Sequence, residues 1–198
     1  MTHDSAECKS KMTVDTTSPE RPAPSLEEAR AIAAPLFARL GELRIETQTE
    51  WHEPVFTVGE SEALYRRIEG AHTKNLFVKD KKGRLFLLVC AKDTGVDLKG
   101  VHRLVGGQGR VSFAGADAMA AHLGVTPGSV TVFCAMNDRD RAVTIVLDAA
   151  LLAHARINAH PLTNRATTSI ARQDLLTFIE AGGHRPLVVD FGAAPENP

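Results

Sequence analysis

Cysteine is scarce in this chain, aromatic residues are few, and no apolar run is long. Each shortage removes a class of protein. The three cysteines, Cys8, Cys90 and Cys134, form no CxxC pair. An odd, dispersed set without a secretory apolar segment predicts reduced structural thiols in a cytoplasm and no disulfide framework. The longest apolar run, residues 85–91, falls far short of the roughly 20 residues that a bilayer-spanning helix needs, so no membrane partner is expected. Charge of one sign is also lacking: 23 basic residues stand against 24 acidic ones. Contact with nucleic acid would therefore have to come from a local patch and not from a global field. Eight Phe, one Tyr and one Trp offer little surface on which single-stranded bases could stack.

Recognisable metal and nucleotide motifs are missing too. The histidines at 3, 52, 72, 102, 122, 154, 160 and 184 include no i, i+4 pair and no adjacent cysteine pair, so zinc has no sequence support. There is no GxSxG and no phosphate-binding GxxxxGK[ST]. Gly106-Gly107-Gln108-Gly109 follows an expected helix and precedes an expected strand, the reverse of the order that aims backbone amides at a dinucleotide, and reads as a connector. Cys134 lies in an apolar run with no basic neighbour, which suits a buried inert thiol better than a nucleophile.

What is present fits one core. Residues 1–24 carry Ser, Thr, Pro and charge without apolar periodicity and read as a disordered extension; 25–198 form a single domain. Ser25 and Glu28 make a capping box, and Leu26, Ala29, Ile32, Ala33, Leu36, Phe37 and Leu40 mark the apolar stripe of a helix ending near Gly41. Thr57 to Glu60 repeats that logic for a second helix through Ala63, Leu64 and Ile68, stopped by Gly70. Strands are expected at 75–78 and 84–90 around a hairpin loop at 80–83, the second central because it is apolar on both faces. Helices at 97–105 and 115–123 flank a strand at 110–113. Runs at 130–135 and 142–147 look like a second hairpin around 137–140, and a strand at 187–191 follows a helix at 173–181. Elements that interleave without a strict repeat predict an α/β fold: a mixed, strongly curved central β-sheet surrounded by helices.

Three segments combine polar side chains with demanding backbone: Thr73 to Phe77, Gly124 to Thr131, and "HPLTNRATTSI" at 160–170. In the order "AHTKNLFVKDKKGRLFLLV", "LGVTPGSVTVF", "MNDRDRAVTIVLD", "HPLTNRATTSI" and "HRPLVVDF", over about residues 25–192, the chain resembles the YbaK/prolyl-tRNA synthetase insertion-domain family of aminoacyl-tRNA deacylases. "HEPVFTVGESEAL" leading into "AHTKNLF" makes it similar to the free-standing alanyl-tRNA(Pro) deacylases of that family. The resemblance implies a metal-free, cofactor-free hydrolase for the ester at the 3′ end of a mischarged tRNA, with association with prolyl-tRNA synthetase. The aminoacyl group is alanine or another small one: cysteine, serine or 2-aminobutyrate. A catalytically inactive RNA- or DNA-binding module of the same fold is the alternative from another class.

The resemblance also assigns residues. It puts Lys74, His160 and Gly128 at the catalytic centre. Lys74 would meet the terminal phosphate or adenosine as a compact charge, and His160 would hold the substrate amino group or a ribose hydroxyl. Water activation falls to the 2′-hydroxyl of the tRNA in many family mechanisms. Asn75, Pro127, Ser129, Val130, Thr131, Val132, Asn164, Thr167 and Thr168 would shape the substrate pocket, the last three by supporting an irregular segment. Val132 stands where the family pattern "PGSVTPF" has proline, which restores an amide hydrogen and loosens φ. The basic run Lys79, Lys81, Lys82 and Arg84 would track phosphates of the acceptor stem.

Overall fold

The computed structural model describes residues 24–53 and 67–192. The first helix, α1 (Leu26–Glu42), starts at the expected box: Ser25 Oγ accepts from the Glu28 amide at 3.2 Å and the Glu28 carboxylate accepts from the Ser25 amide at 2.7 Å. Ala29, Ala33, Leu36 and Leu40 bury its stripe, with Leu26 and Ile32 exposed on the flanks. The expected second helix falls mainly on 54–66, outside the described residues, as does the extension at 1–23.

Eight strands form one mixed sheet: β1 (Thr47–Trp51), β2 (Ala71–Lys79), β3 (Leu85–Ala91), β4 (Ser112–Phe113), β5 (Val143–Asp148), β6 (Arg156–Ala159), β7 (Ala166–Ala171) and β8 (Leu187–Val189). Their spatial order is β1-β7-β6-β2-β3-β5-β8, with β4 also on β2. As expected, β3 is central: Leu85, Leu87 and Val89 enter the larger core, while Phe86, Leu88 and Cys90 enter a second one. The short helices α2 (Val101–Leu104), α3 (Ala116–Ala118), which runs into a π turn at Met119–Leu123, and α4 (Ala149–Leu152) connect strands; α5 (Arg172–Ala181) packs on the larger core through Leu175, Phe178 and Ile179. Among the described residues no helix is long and apolar enough to cross a membrane.

The β2–β3 hairpin closes as read from the sequence. Gly83 takes φ of 80°, a left-handed conformation that glycine adopts at little cost. The Asp80 carboxylate gathers the amides of Lys82, Arg84 and Gln108 and the Arg84 guanidinium. Gln108 thus ties the Gly106–Gly109 connector to the hairpin tip.

Two expectations fail. The 130–135 run is not a strand paired to 142–147: β5 has β3 on one side and β8 on the other, both parallel. Both edges of β5 are taken, and Val132–Met136 coils instead into a 3-10 turn whose Val132, Phe133, Cys134 and Ala135 are buried. Phe133 meets Phe178 edge to face at 5.4 Å. Apolar runs of five or six residues do not distinguish these outcomes. Secondly, 166–171 is no irregular support but a regular strand, paired to β1 and β6 on its two sides. Its Thr167, Thr168 and Ser169 are buried, and β-branched threonines suit such a pleated surface.

Asp138 sets the start of β5, accepting from the amides of Ala142 at 3.0 Å and Val143 at 2.8 Å while almost wholly buried. Asp138→Ala should leave both donors unpaired and lower unfolding free energy by about 2–4 kcal/mol in urea titration; a loss under about 1 kcal/mol would assign the start of β5 to packing alone.

Candidate functional site

The parallel ladder between β2 and β6 is two residues long, Ala71↔Ile157 and His72↔Asn158. On the same edge of β2, pairing resumes only at Val78↔Phe113 and Lys79↔Ser112 with β4. Between these ladders the sheet has a notch, bordered by Thr73 to Phe77. Lys74 and Asn75 sit in its middle. His160 comes two residues after Asn158, and Lys74 two residues after His72, so the register brings both to the same level where the strands part. Parting strands leave a crevice, and their polar groups are free to meet a ligand there.

The His160 ring lies beside the Val130 main chain and within electrostatic range of His52. Burial pushes its pKa down from 6.5 to about 4; the nearby His52 adds to that, and the Val130 carbonyl works against it. The ring is therefore neutral at physiological pH. Its Nδ1 is buried without a protein partner, as are Asn75 Oδ1 and Thr131 Oγ1. Buried polar atoms in folded proteins are nearly always paired, so the three unpaired ones on the segments around the notch, like those of His102 and Arg165 elsewhere, retain hydrogen-bonding capacity that the protein itself does not use. Pro161 is buried and Leu162 adopts φ of 63°, so the chain turns sharply away after His160.

Lys74 donates through Nζ to the Thr94 carbonyl. The Thr94 hydroxyl donates to Asp148, which also accepts from the Ala91 and Ala150 amides and is buried. A carbonyl holds the ammonium in place without cancelling its charge. Neighbouring Cys90 has its pKa raised to about 12 by burial first and by Asp148, against the effect of Lys74. Cys134 is likewise raised to about 12 by burial. Both thiols stay protonated and inert, as the apolar setting of Cys134 predicts.

The glycine-rich loop is a turn, in which the Ser129 amide donates to the Thr126 carbonyl at 3.0 Å and Gly128 takes φ of 87°. Proline then glycine at its centre is the type II pattern. Open space surrounds a Cβ placed on Gly128, so the backbone angle alone calls for glycine. The Thr131 amide points to Cys134 Sγ at 3.4 Å. Two of the loop's amides are thus committed inward. Val132 is the first residue of the 3-10 turn, a position whose amide has no partner within the turn and where proline and other residues exchange readily. The departure from the family pattern therefore leaves the loop's course intact.

Other expected residues lie elsewhere. Thr168 faces the core with its hydroxyl 2.9 Å from that of Thr49, and Val132 is enclosed. Asn164 is half-buried in the turn before β7. Lys79, Lys81 and Lys82 are exposed at the far end of β2; five residues of strand separate Lys79 from Lys74, about 16 Å. Arg84, in the same run, is held by Asp80 at 2.9 Å and the Gly106 carbonyl at 2.7 Å.

The family model described as "Aminoacyl-tRNA editing domain" matches residues 52–178, which hold the notch and all three segments around it. The chain belongs to this family. Among relatives of this editing domain, prolyl-tRNA synthetase associated domain-containing protein 1 of Mus musculus is 38% identical over 164 residues, 81% of this chain and 96% of that protein. Prolyl-tRNA editing protein ProX of Acetoanaerobium sticklandii is 34% identical over 150 residues, 75% of this chain and 91% of that one. A crystal structure described as a candidate trans-editing enzyme for prolyl tRNA synthetase shares the fold, with TM-score 0.61 and 23% identity over 84% of this chain and 98% of that one.

Within the editing domain, sequence reasoning missed His52, Thr94 and Asp148. His52 opens the "HEPVF" stretch, which was a usable signal. Thr94 and Asp148 reach Lys74 only through the β3–β5 pairing, which no local pattern discloses.

The depressed pKa of His160 links folding to pH. Its folded value lies below that of the unfolded chain, so the unfolded chain binds the extra proton first. The stabilisation is whole above about pH 6.5 and is lost as pH falls from there toward 4. That interval corresponds to on the order of 3 kcal/mol. Urea unfolding at pH 7.5 and 4.5 should show His160→Asn losing less stability on acidification than the parent by roughly that amount; equal losses would place the ring in water.

Proposed function

We propose that the chain is a metal-independent trans-editing hydrolase that removes alanine from Ala-tRNA(Pro) in the cytoplasm. The observation that carries this reading is the notch, where Lys74 and Asn75 of β2 stand level with the buried imidazole of His160, whose Nδ1 has no protein partner. An editing-domain fold and relatives named for prolyl-tRNA editing support it.

An aminoacyl ester is already activated, so positioning and charge stabilisation suffice. Water adds to the ester carbonyl, the bond to the 3′ oxygen breaks, and alanine leaves a tRNA with a free 3′-hydroxyl. Lys74 draws in the anionic terminus. The amides of Gly128 and Val130, which the turn leaves uncommitted, face the developing oxyanion. His160 acts as an anchor: a base with pKa about 4 is weak at neutral pH, so the ring orients the substrate and water is activated by the neighbouring 2′-hydroxyl. Lys79, Lys81 and Lys82 lie far enough out for the acceptor stem, and transient docking to prolyl-tRNA synthetase would deliver it. The inactive-module alternative rests on Val132, and the buried first-residue position of Val132 in its turn weakens that reading.

Purified protein should release alanine from Ala-tRNA(Pro) and largely spare Pro-tRNA(Pro). Lys74→Ala should reduce kcat/KM by about 10- to 100-fold, as expected for one lost charged contact in a partly dry site. A variant as fast as the parent removes the lysine from the mechanism. Release of cysteine, serine or 2-aminobutyrate at a higher kcat/KM than alanine would move the specificity to that group, a difference of roughly 1–3 kcal/mol per methyl-sized change.

A further inference from the structure

Lys74, Cys90 and Asp148 stand in one row across three neighbouring strands. Lys74 is paired with Cys90 between β2 and β3, and the β3–β5 ladder runs through Val89↔Leu147, one step before Cys90 and Asp148. Cys90 and Val146 belong to the second core, Val89 and Leu147 to the larger one, so the alternation of a strand puts Asp148 on the face of Cys90. The Cys90 thiol feels the charge of both outer members of the row. Strands spaced about 4.8 Å apart set the lysine and the aspartate on the order of 10 Å apart at their backbones, a span that a lysine stem and a carboxylate could close to an ion pair.

Thr94 is interposed instead. Its carbonyl accepts from Lys74 Nζ and its hydroxyl donates to Asp148 Oδ2. The same carboxylate holds both ends of the turn that carries Thr94. Oδ2 also accepts from the Ala91 amide at 3.1 Å, the Thr94 amide closes the turn on the Ala91 carbonyl at 3.0 Å, and the Lys92 amide ties it to the His72 carbonyl of β2 at 2.9 Å. The other oxygen, Oδ1, caps α4 by accepting from the Ala150 amide at 3.0 Å. Asp148 is buried, and these donors offset the cost of burying its charge.

The arrangement does two things for the lysine. A long, flexible stem held in one pose gives up less freedom when an anion arrives. Keeping the ammonium off the carboxylate also leaves its charge to act on that anion.

We propose that Asp148 and Thr94 are positioning residues for Lys74: the carboxylate fixes the turn, and the turn's last carbonyl holds the ammonium at the notch and away from the carboxylate. This rests on the editing reading and adds what keeps its lysine available. The test combines steady-state deacylation of Ala-tRNA(Pro) by the full chain with NMR of its lysines. Thr94→Val keeps nearly the same shape and the carbonyl, and removes only the hydroxyl that reaches Asp148. It should raise KM about fivefold with kcat within about twofold, since Lys74 acts by attracting the substrate. Thr94→Ser should keep the parent KM, and Thr94→Val should add nothing in a Lys74→Ala chain. A merely structural loss would lower kcat through the active fraction and would add to Lys74→Ala. In protein carrying 13C-labelled lysine, the ε-methylene protons of Lys74, identified by their absence from Lys74→Ala, should give two separate signals in the parent and in Thr94→Ser, merging in Thr94→Val as the side chain gains freedom. The proposal is overturned if Thr94→Val keeps the parent KM, lowers kcat instead, or leaves the two signals apart. Signals that merge in Thr94→Val alone, in a chain that deacylates no tRNA, would uphold the positioning and refute the editing reading.

Discussion

Two residue pairs hold the halves of this sheet together. The ladder Ala71↔Ile157 and His72↔Asn158 is the sole link between the β1-β7-β6 part and the β2-β3-β5-β8 part among the described strands. Asn158 reinforces it from its buried side chain, donating to the carbonyls of Ile68 and Glu69 and lying 3.2 Å from His72 Nε2. Because the ladder is so short, the strands part at once. That parting is what places Lys74, Asn75 and His160 around a gap instead of in a continuous hydrogen-bonded surface.

The same geometry decides what burial does to each group around the gap. Low dielectric around the gap keeps His160 neutral and strengthens the attraction of the nearby lysine for an anion. Burial serves both effects, and it also silences the two core thiols. Burial acts differently on each group: it removes charge from the imidazole and reactivity from sulfur, while Lys74 donates to a carbonyl and not to a carboxylate.

Much of this is legible in the sequence, for physical reasons that differ from element to element. The capping box at Ser25 and the glycine-bearing hairpin at 80–83 are local devices, so local reasoning finds them. The two-sided apolar run of β3 announces a central strand. The segment 132–136 defeated the reading because burial on all sides looks alike in a strand and in a tight turn. β7 was missed for the opposite reason: its threonines and serine are polar in composition yet lie buried in a regular strand. Within the site, Lys74, Asn75 and His160 came from family resemblance, and the notch gives them a common address. Thr168 and Arg84 did not join it, the first turned to the core and the second engaged by Asp80; only three-dimensional pairing reveals such commitments.

The most direct test of the account is a crystal structure of the chain with a non-hydrolysable 3′-alanylamido adenosine. The account predicts the alanyl amide in the gap between β6 and β4, within hydrogen-bonding reach of His160 and the turn at Gly128. An alanyl group seated on any other face of the sheet, with the gap untouched, would contradict it.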